Sequence, residues 1–252
     1  MPHCEGTRCG RVETVFWLTW AVLLGAGLAG SAAKGTWLAT CDTELKAASS
    51  VTLVLFAWLS SFLAPPPSRV IVRLVAAGMT LGCLGDASPL LGSLWPDPQR
   101  TLGNMVLFGI GHAAYIRACV LVSRRAENRL ATGLWYASLL FWLVVGVIAW
   151  HFAANSGTRH LEMRFPALGY TLLLSATAGA ATGCALQNRR FAPVAIGAVL
   201  FLISDLLLAV RIFHDFAPPP FDFVWLTYGP GQMLIVFGTV VCVDPRAFEQ
   251  QQ

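Results

Sequence analysis

Residues 199–210 read "VLFLISDLLLAV" and residues 80–92 read "TLGCLGDASPLLG". Each places one carboxylate in an apolar run, Asp205 directly after Ser204 and Asp86 directly after Gly85. Whether such runs cross a membrane or fill a soluble core decides the fold. A helix needs about 20 mostly apolar residues to span the hydrocarbon core of a bilayer, and both aspartates stand in segments of that length. The surrounding chain agrees with the membrane reading. Of its 252 residues 56% are hydrophobic and only 12% charged, and the mean hydropathy is +0.64. A soluble domain carries roughly a quarter charged residues.

Eight apolar segments can be marked off, at 14–33, 45–64, 70–91, 101–123, 130–152, 165–186, 192–216 and 221–243. The links are short and hold most of the charges and prolines, as in "APPPSR" (64–69) and "APPP" (217–220). None is long enough for a soluble domain. The expected fold is all-α, a polytopic membrane helical bundle of eight transmembrane helices, with residues 1–252 as one domain. The first segment ends in small residues, "AGSAA", as a signal peptide would. Its apolar length exceeds the usual signal core of about 7–15 residues, so it reads as a retained helix.

With eight spans, eleven of the 17 Lys and Arg fall on the side of the two termini and six on the other. By the excess of positive charge in cytoplasmic loops, both termini are expected in the cytoplasm. The net charge of +4 is then a topology signal and an attraction to lipid headgroups; nothing in it suggests nucleic acid. Short loops and heavy use of Ala, Gly and Arg point to a bacterial inner membrane. Cys83, Cys119, Cys184 and Cys242 lie inside apolar segments, where cysteine behaves as a small hydrophobe. Cys4, Cys9 and Cys41 have no CxxC spacing, and His3 beside Cys4 is too little for a metal. No metal, cofactor or disulfide framework is expected.

Ionisable groups at bilayer depth are costly, face the bundle interior and mark function. Asp86 lies 17 residues beyond Arg69, ~25 Å along a helix, and Asp205 lies 15 beyond Arg190, ~22 Å. His112 is 12 residues in from Arg100 on the opposite side, ~18 Å. Gln232 is ten in from Asp222, ~15 Å. These groups converge on one layer, from the midplane toward the non-cytoplasmic side. Tyr115, three residues after His112, shares its helix face, and Tyr228 shares that of Gln232. Lys46 stands at the edge of the second segment, where snorkelling to the interface is an equal reading. Tyr115 and Tyr228 also read as bundle packing with a satisfied hydroxyl.

Gly78 and Gly197 each precede an aspartate by eight residues, and "GIGH" (109–112) recurs as "GPGQ" (229–232) at an offset of 120. Two four-helix halves in the same orientation, placed around a central cavity, would explain this; chance in a biased composition explains it as well.

The series "ELKAASSVTLVLFA", "LGDASPLLGSLWP", "FGIGHAAYIRA", "LFLISDLLLA" and "TYGPGQMLI" resembles the integral membrane lysoplasmalogenases, the YhhN-like family, in order and spacing from the second segment to the eighth. The resemblance implies hydrolysis of the vinyl-ether bond of a lysoplasmalogen, an alkenyl glycerophosphocholine or glycerophosphoethanolamine. The products would be a fatty aldehyde and the glycerophospho-headgroup; the depth of the polar layer, by itself, points to a lysophospholipid that enters from the bilayer among membrane lipid. The resemblance also implies that the family's intramembrane lysine is Lys46, its Gly-Asp aspartate Asp86 and its His-x-x-Tyr pair His112 and Tyr115. Its Ser-Asp position is Ser204 and Asp205, and its last motif Tyr228 and Gln232. Where family members often have a proline after the lysine, this chain has Ala47.

The chemistry suits these residues. A vinyl ether resists nucleophiles but accepts a proton on its β-carbon, giving an oxocarbenium ion that water captures. The reaction needs a carboxyl that holds its proton near neutral pH and a second group to stabilise the cation and orient water. Burial favours a neutral carboxyl, and two neighbouring carboxylates favour sharing one proton. The expected roles are Asp86 as proton donor, Asp205 as stabiliser and base, His112 and Tyr115 as tuning or relay groups, and Lys46 as a phosphate ligand. A proton-coupled carrier of a lipid or small molecule would use the same midplane carboxylates and stays open on the residues alone, as does a lipid-binding receptor. A serine hydrolase is disfavoured, since the chain has no Gly-x-Ser-x-Gly motif.

Overall fold

The computed structural model describes residues 5–33, 35–90, 96–124, 129–216 and 222–243, with 5–11 and 129–131 given by backbone only. The expected linker 217–220, the segment ends Leu91 and Phe221, and His3, Cys4, Lys34, Arg125 and Arg246 lie outside the described residues. Among the described residues there is no strand. The helices are α1 (Glu5–Ala32), the four-residue α2 (Trp37–Thr40), α3 (Asp42–Leu63), α4 (Pro66–Ala87), α5 (Gln99–Ser123), α6 (Arg129–Trp150), α7 (Arg164–Gln187), α8 (Ala192–His214) and α9 (Phe223–Val243).

Local chemistry sets several of these boundaries. Asp42 and Glu44 stand in the first turn of α3, where carboxylates complement the helix dipole. Pro66 opens α4 and Pro193 lies in the first turn of α8, positions where the missing N–H costs nothing. Pro230 lies inside α9 without ending it.

The long helices form a ring. α3 packs on α4, α4 on α5, α5 on α7, α7 on α8 and α8 on α9, and α9 returns to both α3 and α4. α1 lies outside α3 and α6 outside α7. Large apolar side chains on these outer helices, such as Leu18 and Val22 on α1 and Leu140 and Ile148 on α6, point outward, as lipid-facing surface does. Met79, Leu174, Phe201 and Ile235 fill the centre.

Two contacts repeat across the ring. A Cβ added to Gly78 would lie 2.8 Å from the Gly111 carbonyl oxygen, and one on Gly197 would lie 2.6 Å from that of Gly231. At these crossings α4 meets α5, and α8 meets α9, backbone against backbone, which only glycine allows. The paired glycines are 119 and 120 residues apart.

Among the described residues, seven helices are long and apolar enough to cross a membrane: α1, α3, α4, α5, α6, α8 and α9. The eighth expected span, α7, has the length, at 24 residues, but is rich in Gly, Ala, Ser and Thr. It lies antiparallel beside α6 along its whole length. Gly183 packs on Trp135 and Gly146 on Ser175, Ser138 Oγ donates to the Gly179 carbonyl at 2.9 Å, and Trp150 Nε1 donates to that of Arg164 at 2.9 Å. Flanked by α5, α6 and α8, α7 faces protein more than lipid, so its low apolarity follows from its place in the bundle.

Candidate functional site

A cavity of about 320 Å³ opens among α4, α5, α7, α8 and α9. Asp86 and Asp205 both line it, with Tyr170, Tyr228 and Asp222 as further polar groups and Phe108, Leu174 and Leu202 as apolar wall. Its volume lies within the roughly 300–1,000 Å³ of small-molecule sites.

Asp86 comes from the last turn of α4. Its Oδ2 accepts two hydroxyl protons, from Ser50 of α3 at 2.5 Å and from Tyr228 of α9 at 2.8 Å. Behind Tyr228 stands a chain of donors aimed the same way. Gln232 Nε2 donates to the Tyr228 hydroxyl at 2.9 Å, and the Tyr115 hydroxyl of α5 donates to Gln232 Oε1 at 3.1 Å. All five residues are buried, so each hydrogen bond offsets a desolvation that would otherwise cost about 1–3 kcal/mol. Asp86 lines the cavity, and its Oδ1 has no hydrogen-bond partner among the described residues.

Asp205 is held differently. The Tyr170 hydroxyl of α7 donates to its Oδ2, and Ser204 Oγ lies 3.0 Å from its Oδ1. Both of its oxygens thus have a polar partner.

The other expected residues divide between neighbours of the site and a separate cluster. His112 touches Tyr115 edge to face at 5.5 Å and Phe201 at 4.3 Å between ring centroids. Its Nδ1 pairs with Thr177 Oγ1 at 2.9 Å, and its buried Nε2 has no partner. No hydrogen bond among the described residues joins it to either aspartate. Lys46 is buried, and its three N–H donors meet three acceptors: Ser31 Oγ at 2.6 Å, Asp222 Oδ2 at 2.7 Å and Asp42 Oδ2 at 3.3 Å. It is absent from the cavity wall and touches the site through Asp222, which does line it. Asp222 Oδ1 in turn accepts the backbone N–H of Trp225 in the first turn of α9, at 3.3 Å.

Ser50, Tyr170, Thr177 and Asp222 belong to the site's hydrogen bonds, and a search for charged groups at mid-depth passes over the first three. Serine, threonine and tyrosine are common in bundle interiors, so their presence raises no alarm. A signal was available for two of them. Ser50 and Tyr170 stand 120 residues apart, the offset that relates "GIGH" to "GPGQ". Each donates to the aspartate of its own half, α3 to α4 and α7 to α8.

No curated protein and no solved structure matches this chain. A family model does: residues 42–239 match that of the YhhN family. The matched range runs from the first residue of α3 into α9 and so takes in the aspartates, their hydroxyl donors and Lys46, and the chain belongs to the YhhN family.

Proposed function

We propose that this multi-pass membrane protein is a lysoplasmalogenase, a hydrolase that cleaves the vinyl-ether bond of single-chain alkenyl glycerophospholipids by acid–base catalysis. The observation that carries the reading is the asymmetry between the two carboxyls on one cavity. Asp86 lines the cavity, and its Oδ2 takes two hydroxyl protons, so a proton carried by this carboxyl belongs on the unpartnered Oδ1. Asp205 is met instead on both oxygens, by the Tyr170 hydroxyl on Oδ2 and by Ser204 Oγ at 3.0 Å from Oδ1, contacts that fix the orientation of its carboxyl group.

In this mechanism the Asp86 Oδ1 proton adds to the β-carbon of the alkenyl group, and the ether oxygen shares the resulting positive charge as an oxocarbenium ion. Asp205, fixed by Tyr170 and Ser204, stabilises that ion and accepts a proton from the water that attacks the α-carbon. The hemiacetal then breaks its bond to the glycerol oxygen. That oxygen leaves with the proton that Asp205 took from the water, the aldehyde departs, and the hemiacetal hydroxyl proton restores Asp86. One water is consumed and no electron is transferred. Lys46 acts here as the counter-ion of Asp222, in place of the phosphate contact expected of it from the reaction chemistry.

The test is aldehyde release from lysoplasmenylethanolamine by purified wild type and Asp86→Asn, beside ester-linked and saturated ether-linked lysolipids. Release confined to the vinyl ether and lost in the variant supports the assignment. A folded wild type that releases no aldehyde overturns it, and proton-coupled flux in liposomes would then favour the carrier.

A further inference from the structure

The cavity wall carries four charged side chains among the described residues: Asp86, Asp205, Asp222 and a single cation, Arg211. The two catalytic carboxyls are bonded to hydroxyls, and Asp222 is neutralised by Lys46 at 2.7 Å. Arg211, in the last turn of α8, has no ion pair or hydrogen bond among the described residues. With Lys46 committed elsewhere, it is the positive point that a ligand in this cavity meets.

Its position fits a lipid phosphate. Arg211 follows Asp205 by six residues, a rise of about 9 Å along α8, toward the end of the helix where the bilayer interface lies. In a 1-alkenyl glycerophospholipid, five single bonds of about 1.5 Å separate the vinyl-ether oxygen from phosphorus. With the vinyl ether beside Asp205 the phosphate therefore falls within reach of a guanidinium, and the alkenyl chain runs inward along Phe108, Leu174 and Leu202. A guanidinium also matches phosphate oxygens in a fork that an ammonium lacks.

We propose that Arg211 is the phosphate subsite of the cavity and binds the phosphodiester of a single-chain glycerophospholipid. The assignment rests on the lipid-hydrolase reading for its ligand, and its test is a binding measurement that no hydrolysis enters. Purified protein is titrated with 1-O-hexadecyl-glycerophosphoethanolamine, which has no vinyl ether, and with 1-O-hexadecylglycerol, which lacks the phosphate. Wild type prefers the phospholipid by about tenfold or more, the scale of one charge-assisted contact. Arg211→Gln removes the preference and Arg211→Lys keeps part of it. Inorganic phosphate and glycerophosphoethanolamine, run as competitors, separate a headgroup from a free anion. The proposal is overturned if wild type does not discriminate, if Arg211→Gln still does, or if inorganic phosphate displaces the lipid at comparable concentration. A phosphate preference without aldehyde release would leave Arg211 standing and remove only the hydrolase.

Discussion

At the scale of single residues, two hydroxyls on one carboxylate oxygen make a testable arrangement. Tyr228→Phe removes one donor from Asp86 Oδ2 with little change of shape. A hydrogen bond to a charged group contributes about 1.5–3 kcal/mol, so kcat for aldehyde release should fall roughly 10- to 100-fold with KM little changed. Tyr170→Phe should do the same through Asp205. Tyr115→Phe, two links from Asp86, should cost about threefold or less, which sets a gradient along the chain from Tyr115 to Asp86. Equal losses at all three tyrosines, read by steady-state kinetics, would contradict a local role for the hydroxyls. The carboxylates were legible in the sequence because a charge among leucines is costly and therefore conspicuous. Ser50 and Tyr170 were not, because a hydroxyl costs little to bury when a carbonyl or carboxylate is near. Lys46 was legible as a cation at the edge of a span, with snorkelling an equal reading, and its partners were not legible: Asp222 lies 176 residues away in sequence, and only the ring closure from α9 to α3 brings them together.

At the scale of elements, that ion pair ties the start of α3 to the start of α9, the helix that carries Tyr228 and Gln232. Lys46→Met leaves Asp42 and Asp222 facing each other without a cation. Both carboxylates are partly exposed, at 26% and 18%, so the cost is on the order of 2 kcal/mol, below that of a fully buried pair. The thermal midpoint should drop by about 5 °C, and kcat should fall as Tyr228 loses its register. Adding Asp222→Asn should recover part of the stability by removing one unpaired charge; a pair whose role is only to meet substrate would show no such recovery. The glycine crossings make a matching case. Gly78→Ala would put a methyl 2.5 Å from Tyr115 Cε1 as well as on the Gly111 carbonyl, and overpacking of this kind costs about 1–3 kcal/mol. Gly197→Ala should destabilise comparably, because its obstacle is also backbone. Gly169→Ala in α7, with open space around its Cβ, should leave the thermal midpoint in place.

At the scale of the whole molecule, the eight crossings expected from the sequence and the seven helices apolar enough to span differ by α7. Hydropathy alone leaves α7 out, because a helix buried among neighbours can be made of Gly, Ala, Ser and Thr and still sit in a bilayer. Its contacts with α6 speak for a crossing: Trp135 meets Gly183 near one end and Trp150 meets Arg164 near the other, so α7 runs the length of a neighbour that is itself apolar enough to span. The count has a consequence for topology. With α7 crossing, the crossings number eight, and the segments before α1 and after α9 share a side. Without it they number seven and the two segments lie on opposite faces. The excess of Lys and Arg, eleven against six, exists only on the eight-crossing assignment, and on that assignment the positive-inside rule predicts both segments in the cytoplasm. Reporter domains active on only one side of the membrane, fused before α1 and after α9, should therefore both report the cytoplasm. Opposite reports would remove α7 from the membrane. They would also dissolve the pairing of α3–α4–α5 with α7–α8–α9, since the two halves would no longer run in the same direction. The placement of Asp86 and Asp205 at one depth depends on that shared direction, so this measurement reaches from the topology to the two carboxyls of the cavity.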